Sequence, residues 1–231
     1  MPQGNWFSSD TGTRWFFDAG APSLDFAYLG GFPVDAFGPA CGLPGAEWDG
    51  LLLTADLGDW LSARYEGLGA APSDRELLDA RSIRDTIARL AVCAADGHSP
   101  DTRDVDMLNL YAATPDIPPA LPGGSRQAGA GRWRVGQAMS SVARDAVVLF
   151  SSVGFLGDAD RRIKRCAAAD CGLVFHDDSR AGSRRWCSMQ KCGNRAKVRA
   201  HRARAAGAPG AADVPPGAAD VPPGAAAPQR V

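Results

Sequence analysis

Lysine is nearly absent from this chain, at three residues against 22 arginines among 231, while alanine and glycine are heavy. That bias points to a GC-rich coding genome and carries no chemistry. The start, MPQGNWFSSD, lacks the basic and apolar regions of a secretory signal. The longest apolar run, Ala146–Gly157, is far short of the roughly 20 residues that a membrane span needs. These absences predict a cytoplasmic protein with no membrane partner, where disulfides are rarely structural. The chain also lacks a P-loop, a dinucleotide fingerprint and a nucleophile elbow, so no catalytic residue is predicted.

A net charge of −1 hides a segregation. Between Arg161 and Arg204 stand 13 Lys/Arg against three acids (Asp170, Asp177 and Asp178), a local +10; the remainder carries −11. An acidic body with a basic end implies that the basic end meets the partner. Charge alone also suggests that the acidic body folds back over the basic end and competes with a polyanion.

The periodicities predict an α+β protein: a mainly helical N-terminal domain over 1–157, a small zinc-binding module over 161–206 and a disordered Ala/Gly/Pro tail over 207–231. The tail repeats GAADVPP, which cannot bury enough surface to offset chain entropy. Arg14–Asp18 reads as a strand, and Ser23–Tyr28 starts an element facing the core. Loops are expected over Gly30–Gly50 and Thr114–Gly131. Thr54 is the expected N-cap of a helix carrying Leu57, Trp60, Leu61 and Tyr65. Ser73 and Glu76 form a capping box for a helix that buries Ile83, Ile87, Leu90 and Ala94. Thr102 caps a shorter helix with Val105 and Leu108. Gly131–Gly136 suits a strand, and a last helix aligns Met139, Val142, Ala143, Ala146 and Phe150.

Four of the six cysteines lie in the basic region, as CAAADC (Cys166, Cys171) and CSMQKC (Cys187, Cys192). Each C-x4-C pair can place two thiolates on one face of a turn, and two turns complete a tetrahedron. Four thiolates select zinc over magnesium or calcium, which prefer oxygen. Two disulfides or buried free thiols are the alternatives; a reducing compartment and the symmetry of the pairs favour one structural Zn2+ per chain. With four protein ligands, no position remains for a catalytic water.

The run RRWCSMQKCGNRAKVRAHRAR (Arg184–Arg204) resembles the signature of the CGNR zinc-finger family, through Cys192, Gly193, Asn194 and Arg195. The upstream KRCAAADCGLVFHDDSR (Lys164–Arg180) is similar to that family as well. The resemblance implies a zinc-binding, DNA-binding unit of bacterial transcription regulators. The segment PSLDFAYLGGF (Pro22–Phe32) resembles the start of the ABATE-type domain found with it, which implies a stress-response sensor with a small-molecule effector. The family commonly continues Leu-Asp-Phe with Asn-Thr; here Tyr28 and Leu29 stand nearby instead.

A helix running on from Cys192 would align Arg195, Arg199 and Arg202 on one stripe, with Lys197 and Arg204 turned away. Ala196, Ala200 and Ala203 would pack on the knuckles, and Gly193 would let the backbone pass close. Such a helix fits a DNA major groove, where arginine reads guanine bidentately. Asn194 could reach a base edge or bond locally; Arg184 and Arg185 suit phosphates. The resulting reading is a regulator that binds double-stranded DNA, with a homodimer open. The rivals are an RNA- or protein-binding adaptor with a purely structural zinc, and an enzyme sited in the N-terminal domain. Trp186 is expected in the small core, and His176-Asp177-Asp178 in a turn or as balancing charge for Arg184 and Arg185. Cys93 reads as packing, Cys41 as a candidate redox-sensitive thiol, His98 as solvent-facing, and His201 as facing DNA or solvent.

Overall fold

The computed structural model describes residues 4–8, 14–30, 32, 49–119, 132–155 and 161–205. Cys41, the tail over 207–231 and the boundary between 157 and 161 lie outside them, as does most of both expected loops.

The N-terminal part opens with an antiparallel ribbon of β1 (Asn5–Ser8) and β2 (Arg14–Phe17), in the register Trp6↔Phe16 and Phe7↔Trp15. Only β2 is legible from the sequence, because NWFS is too short to display a period. Alternation sends Phe7, Trp15 and Phe17 into the core. α1 (Pro22–Ala27) begins on a proline, whose missing N–H costs nothing in the first turn. Asp145 accepts the Ser23 N–H at 2.9 Å. Buried Asp25 receives the Gly4 and Ala19 N–H groups at 2.5 and 3.0 Å, tying α1 to both strands at the open end of the ribbon. Burial of that carboxyl raises its pKa to about 6, against the lowering effect of the two backbone donors.

Among the described residues, four further helices follow in this part: α2 (Thr54–Ser62), α3 (Asp74–Asp96), α4 (Thr102–Ala112) and α5 (Val135–Val153). α3 starts with the expected capping box, Glu76 accepting the Ser73 N–H at 2.8 Å and Ser73 accepting the Glu76 N–H at 3.3 Å. Its buried face holds Ile83, Ile87, Leu90 and Ala94. Two caps sit one residue earlier than the sequence suggests. Leu53, not Thr54, caps α2, with Asp56 accepting its N–H at 2.7 Å. Asp101, not Thr102, caps α4 by accepting the Arg103 N–H at 2.8 Å. Aspartate takes the free amide more readily than a threonine already in the turn. The strand expected over Gly131–Gly136 is not there: Trp133 makes a single parallel bridge to Leu68, and Val135 already starts α5. The Trp133 indole donates to the Glu66 carbonyl at 2.5 Å, so that residue is an anchor and not part of a ladder.

The C-terminal module comprises β3 (Ile163–Arg165) paired antiparallel with β4 (Val174–His176), a π-helical turn (Met189–Gly193) and α6 (Asn194–Ala205). Its small sheet packs on α3, and Leu173, Val174 and Phe175 join the same hydrophobic core as Phe17, Tyr28 and Ile87. The contact depends on Gly20, which has φ +83° and would place a Cβ 2.3 Å from the His176 carbonyl oxygen. Any side chain there would push β4 away. With glycine present, His176 N–H reaches the Ala19 carbonyl at 2.7 Å. The buried Tyr28 hydroxyl donates to the Val174 carbonyl at 2.7 Å and accepts the Val174 N–H at 2.8 Å. Arg165 grips Asp96, at the end of α3, with two bonds of 2.6 and 2.7 Å.

Candidate metal centre and nucleic-acid interface

Two turns present the cysteines. In the first, Cys166 N–H bonds Leu173 O at 2.7 Å and Cys171 N–H bonds Ala168 O at 3.0 Å. The second passes through Cys187 into the π-helical turn, where Gly193 N–H reaches Ser188 O at 3.0 Å. Ala167 N–H donates to Arg185 O at 2.9 Å and Cys187 N–H points at the Cys166 sulfur at 3.4 Å, locking the turns together. A Cβ on Gly193 would fall 2.6 Å from the Met189 sulfur and 3.4 Å from Trp186. The close approach that Gly193 permits is therefore to these two side chains.

All four sulfurs are buried and lie within 4.8 Å of one another. Cys171 and Cys187 are 3.7 Å apart, and Cys187 and Cys192 3.5 Å. A tetrahedron with Zn–S bonds of about 2.3 Å has edges of roughly 3.8 Å, whereas a disulfide needs about 2.05 Å. Donor type and spacing fit zinc, and the four thiols are free of disulfides. Hydrogen bonds from Cys171 and Cys187 lower the Cys166 thiol pKa, while the Cys166 contact raises theirs. Sulfurs that compete for protons at this range are poised to exchange them for a divalent cation.

Asp177 braces the module from beneath. Its fully buried carboxylate accepts from Lys164 at 2.7 Å, from the Ser179 hydroxyl at 2.5 Å and from the Arg184 N–H at 2.8 Å. Burial alone would raise its pKa, but these donors outweigh that and hold it at about 2. His176 thus closes β4, and Asp177 is a structural brace rather than part of a turn over all three residues.

The sequence-predicted basic residues separate into committed and exposed groups. Arg184 donates to the carbonyls of Asp18 and Cys187 at 2.7 Å each, and to those of His176 and Trp186 at 3.3 Å each. Its guanidinium also lies 4.3 Å above the Phe175 ring. It clamps β2, β4 and the second turn together. Arg195 bonds Asp170 at 3.2 Å and the Cys192 sulfur at 3.2 Å, and Arg199 reaches the other Asp170 oxygen at 2.9 Å. The Arg199 hydrogen bond, with Arg195 nearby, lowers the Asp170 pKa. Exposed to solvent are Arg185, Asn194, Lys197, Arg202 and Arg204.

α6 itself buries no residue. The expected packing of Ala200 and Ala203 on the knuckles does not occur; both are exposed, and only Ala196 is half-covered. The helix leaves the module after its first turn, so its small residues have no wall to meet. Among the described residues, the acid holding this helix is Asp170 from within the module, not one from the acidic body. Nothing in the spacing pairs Asp170 with residues 25 and 29 positions further on. Tyr28 and Arg184 were equally unreadable as clamps, since each acts across more than 140 positions.

Among the described residues, no helix is long and apolar enough to cross a membrane. No curated protein matches the chain. Residues 162–205 match the CGNR zinc finger model, which covers all four cysteines and α6 up to Ala205. Residues 20–153 match ABATE, described as "Putative stress-induced transcription regulator". The chain belongs to the ABATE family and carries a CGNR zinc finger over residues 162–205.

Proposed function

We propose that this protein is a cytoplasmic, DNA-binding transcription regulator in which one Zn2+ per chain, held by Cys166, Cys171, Cys187 and Cys192, fixes the base of α6. The observation that carries this reading is the free-standing α6. It has six basic side chains or potential cations along 12 residues (Arg195, Lys197, Arg199, His201, Arg202, Arg204), no acidic one, and no buried face. A helix that is polar all round does not exist for its own packing. Its diameter of about 10–12 Å suits the major groove of B-DNA, about 12 Å wide. Arg202, Arg204 and Lys197 are placed to meet DNA directly, and Arg185 to meet a phosphate beside the second turn. Arg195 and Arg199 set the helix direction through Asp170 and meet DNA with their remaining donors. Asn194, exposed at the helix start, is placed for a base edge or a phosphate.

The ABATE domain is the signal-receiving half in this reading, and it assigns the chain no catalytic step. Zinc, when bound, supplies no reaction; it replaces shared protons with four metal–sulfur bonds and so stabilises the fold. Titrating the zinc-loaded full chain on duplex DNA, structured RNA and single strands tests the proposal. Duplex binding with a site preference recoverable by genomic footprinting supports it. Tighter binding to structured RNA, or no nucleic-acid binding at all, sinks it in favour of an adaptor.

A further inference from the structure

The outer face of the β1–β2 ribbon has no role in the core. Trp6, Phe16 and Arg14 point away from Phe7, Trp15 and Phe17, as strand alternation requires. The Trp6 ring is 62% exposed, with Phe16 at 5.4 Å and the Arg14 guanidinium 5.1 Å above it. Phe16 also forms one wall of an open groove of about 570 Å³ between the ribbon and the second cysteine turn. Across it stand Arg185, Trp186 and Met189, and Asp18 is the one carboxylate among its lining residues. The Arg185 guanidinium lies 5.4 Å over the Trp186 ring, and Met189 is half exposed. The volume is within the range of small-ligand sites, about 300–1,000 Å³.

We infer that this groove, together with the Trp6 face adjoining it across Phe16, receives an unpaired nucleotide of a DNA strand whose neighbouring duplex is held by α6. Aromatic rings with accessible faces stack on bases, and only an unpaired base offers its own face. Arg14 and Arg185 supply the positive charge that a phosphodiester chain requires. Asp18 repels phosphate and accepts hydrogen from amines, which orients the base toward it and the phosphates toward Arg185. The same carboxylate favours adenine, cytosine or guanine, which carry an exocyclic amine, over thymine, which has none. The groove joins the β1–β2 ribbon, which precedes the ABATE segment, to the CGNR segment, so the N-terminal ribbon contributes directly to nucleic-acid recognition. The inference rests on the proposal that the module binds nucleic acid.

The test uses the full, zinc-loaded chain and fluorescence anisotropy with one duplex, either blunt or carrying a four-nucleotide 3′ or 5′ overhang of dA or dT. At least one dA overhang is expected to tighten binding about tenfold, the effect of one stacked base. Trp6→Ala is expected to reduce that advantage to about twofold or less, and its exposed position leaves folding intact. Asp18→Asn retains the oxygen that accepts the Gly20 N–H at 2.7 Å and is expected to erase the preference for dA over dT. Equal affinity for blunt and overhanging duplexes, or an overhang advantage that survives Trp6→Ala, overturns the inference while leaving duplex recognition standing. Binding to overhanging strands with no affinity for blunt duplex upholds the groove and overturns duplex recognition.

Discussion

Tyr28→Phe removes one oxygen and leaves every ring contact in place, which makes it the cleanest probe of the contact between the two halves. The ring is fully buried, 4.9 Å from Phe17 edge-on and 4.3 Å from Phe32 in a stack. Phenylalanine keeps both arrangements. What disappears is the pair of bonds to the Val174 N–H and carbonyl. A buried backbone group left without its partner costs about 1–3 kcal/mol, so the two together cost about 3 kcal/mol after partial relaxation. At a urea m-value of about 3 kcal/mol/M, the unfolding midpoint falls by about 1 M. Val174 lies between Cys171 and Cys187 in sequence, whereas Tyr28 follows α1. The loss must therefore register in both halves. Unfolding followed by far-UV circular dichroism reports the helices, and a chromogenic chelator reports zinc release, at fixed free zinc. Both midpoints are expected to shift together. A shift below about 0.5 kcal/mol, or one confined to the helices, refutes the clamp.

The other predictions concern metal, charge and pH. Serine at Cys166, Cys171, Cys187 or Cys192 should abolish the single equivalent of zinc seen by metal analysis, and should lower the stability of the N-terminal helices as well, because the core is shared. Alanine at Lys197, Arg202 or Arg204 should weaken duplex binding and reduce the slope of log affinity against log salt by about 0.9 per lost phosphate contact. Arg184→Ala should instead lower the unfolding midpoint and leave that slope intact; a flattened slope would reassign Arg184 to DNA. Asp25 titrates near 6 in the folded protein against 3.8 for an ordinary aspartate. Between those values the folded state holds the extra proton, so the stabilising effect is full below about pH 3.8 and is lost as pH rises through 6. The unfolding free-energy difference between wild type and Asp25→Asn should change by about 2 kcal/mol from pH 4.5 to 7.5. A flat difference would show that the buried carboxylate stays ionised.

Local signals in the sequence were strong where the physics is local. The capping box at Ser73, the apolar stripe of α5 and the paired cysteine spacings each sit within a few turns of chain, and each reappears in the fold. The cap of α4 slipped by one residue because Asp101 takes the free Arg103 amide, and that of α2 because Asp56 turns back to accept the Leu53 N–H. Trp133 misled for a different reason: an aromatic flanked by arginines resembles a strand, but its indole is fixed by a carbonyl 67 positions away. The candidate site divides in the same manner. The gathering of its four cysteines was legible from spacing, whereas the grouping of its arginines was not. Arg184, Arg195 and Arg199 look alike in sequence, and only the carbonyls and the Asp170 carboxylate that fold around them set them apart from Arg202 and Arg204.

α6 is a cantilever. Its root is gripped by the Cys192 turn and by two arginines on one carboxylate, and its remaining length has no lateral support. Twelve residues at 1.5 Å each project about 18 Å. The deflection of a beam fixed at one end grows steeply toward its tip, so Arg195 is held more closely than Arg204. In the proposed DNA complex, contacts near the root would meet DNA already aligned, and those near the tip would lose conformational freedom on binding. Graded stiffness of this kind would assign discrimination between bases to the root and tolerance of uneven backbone shape to the tip. Releasing the root by Asp170→Asn would loosen the whole beam without touching the metal.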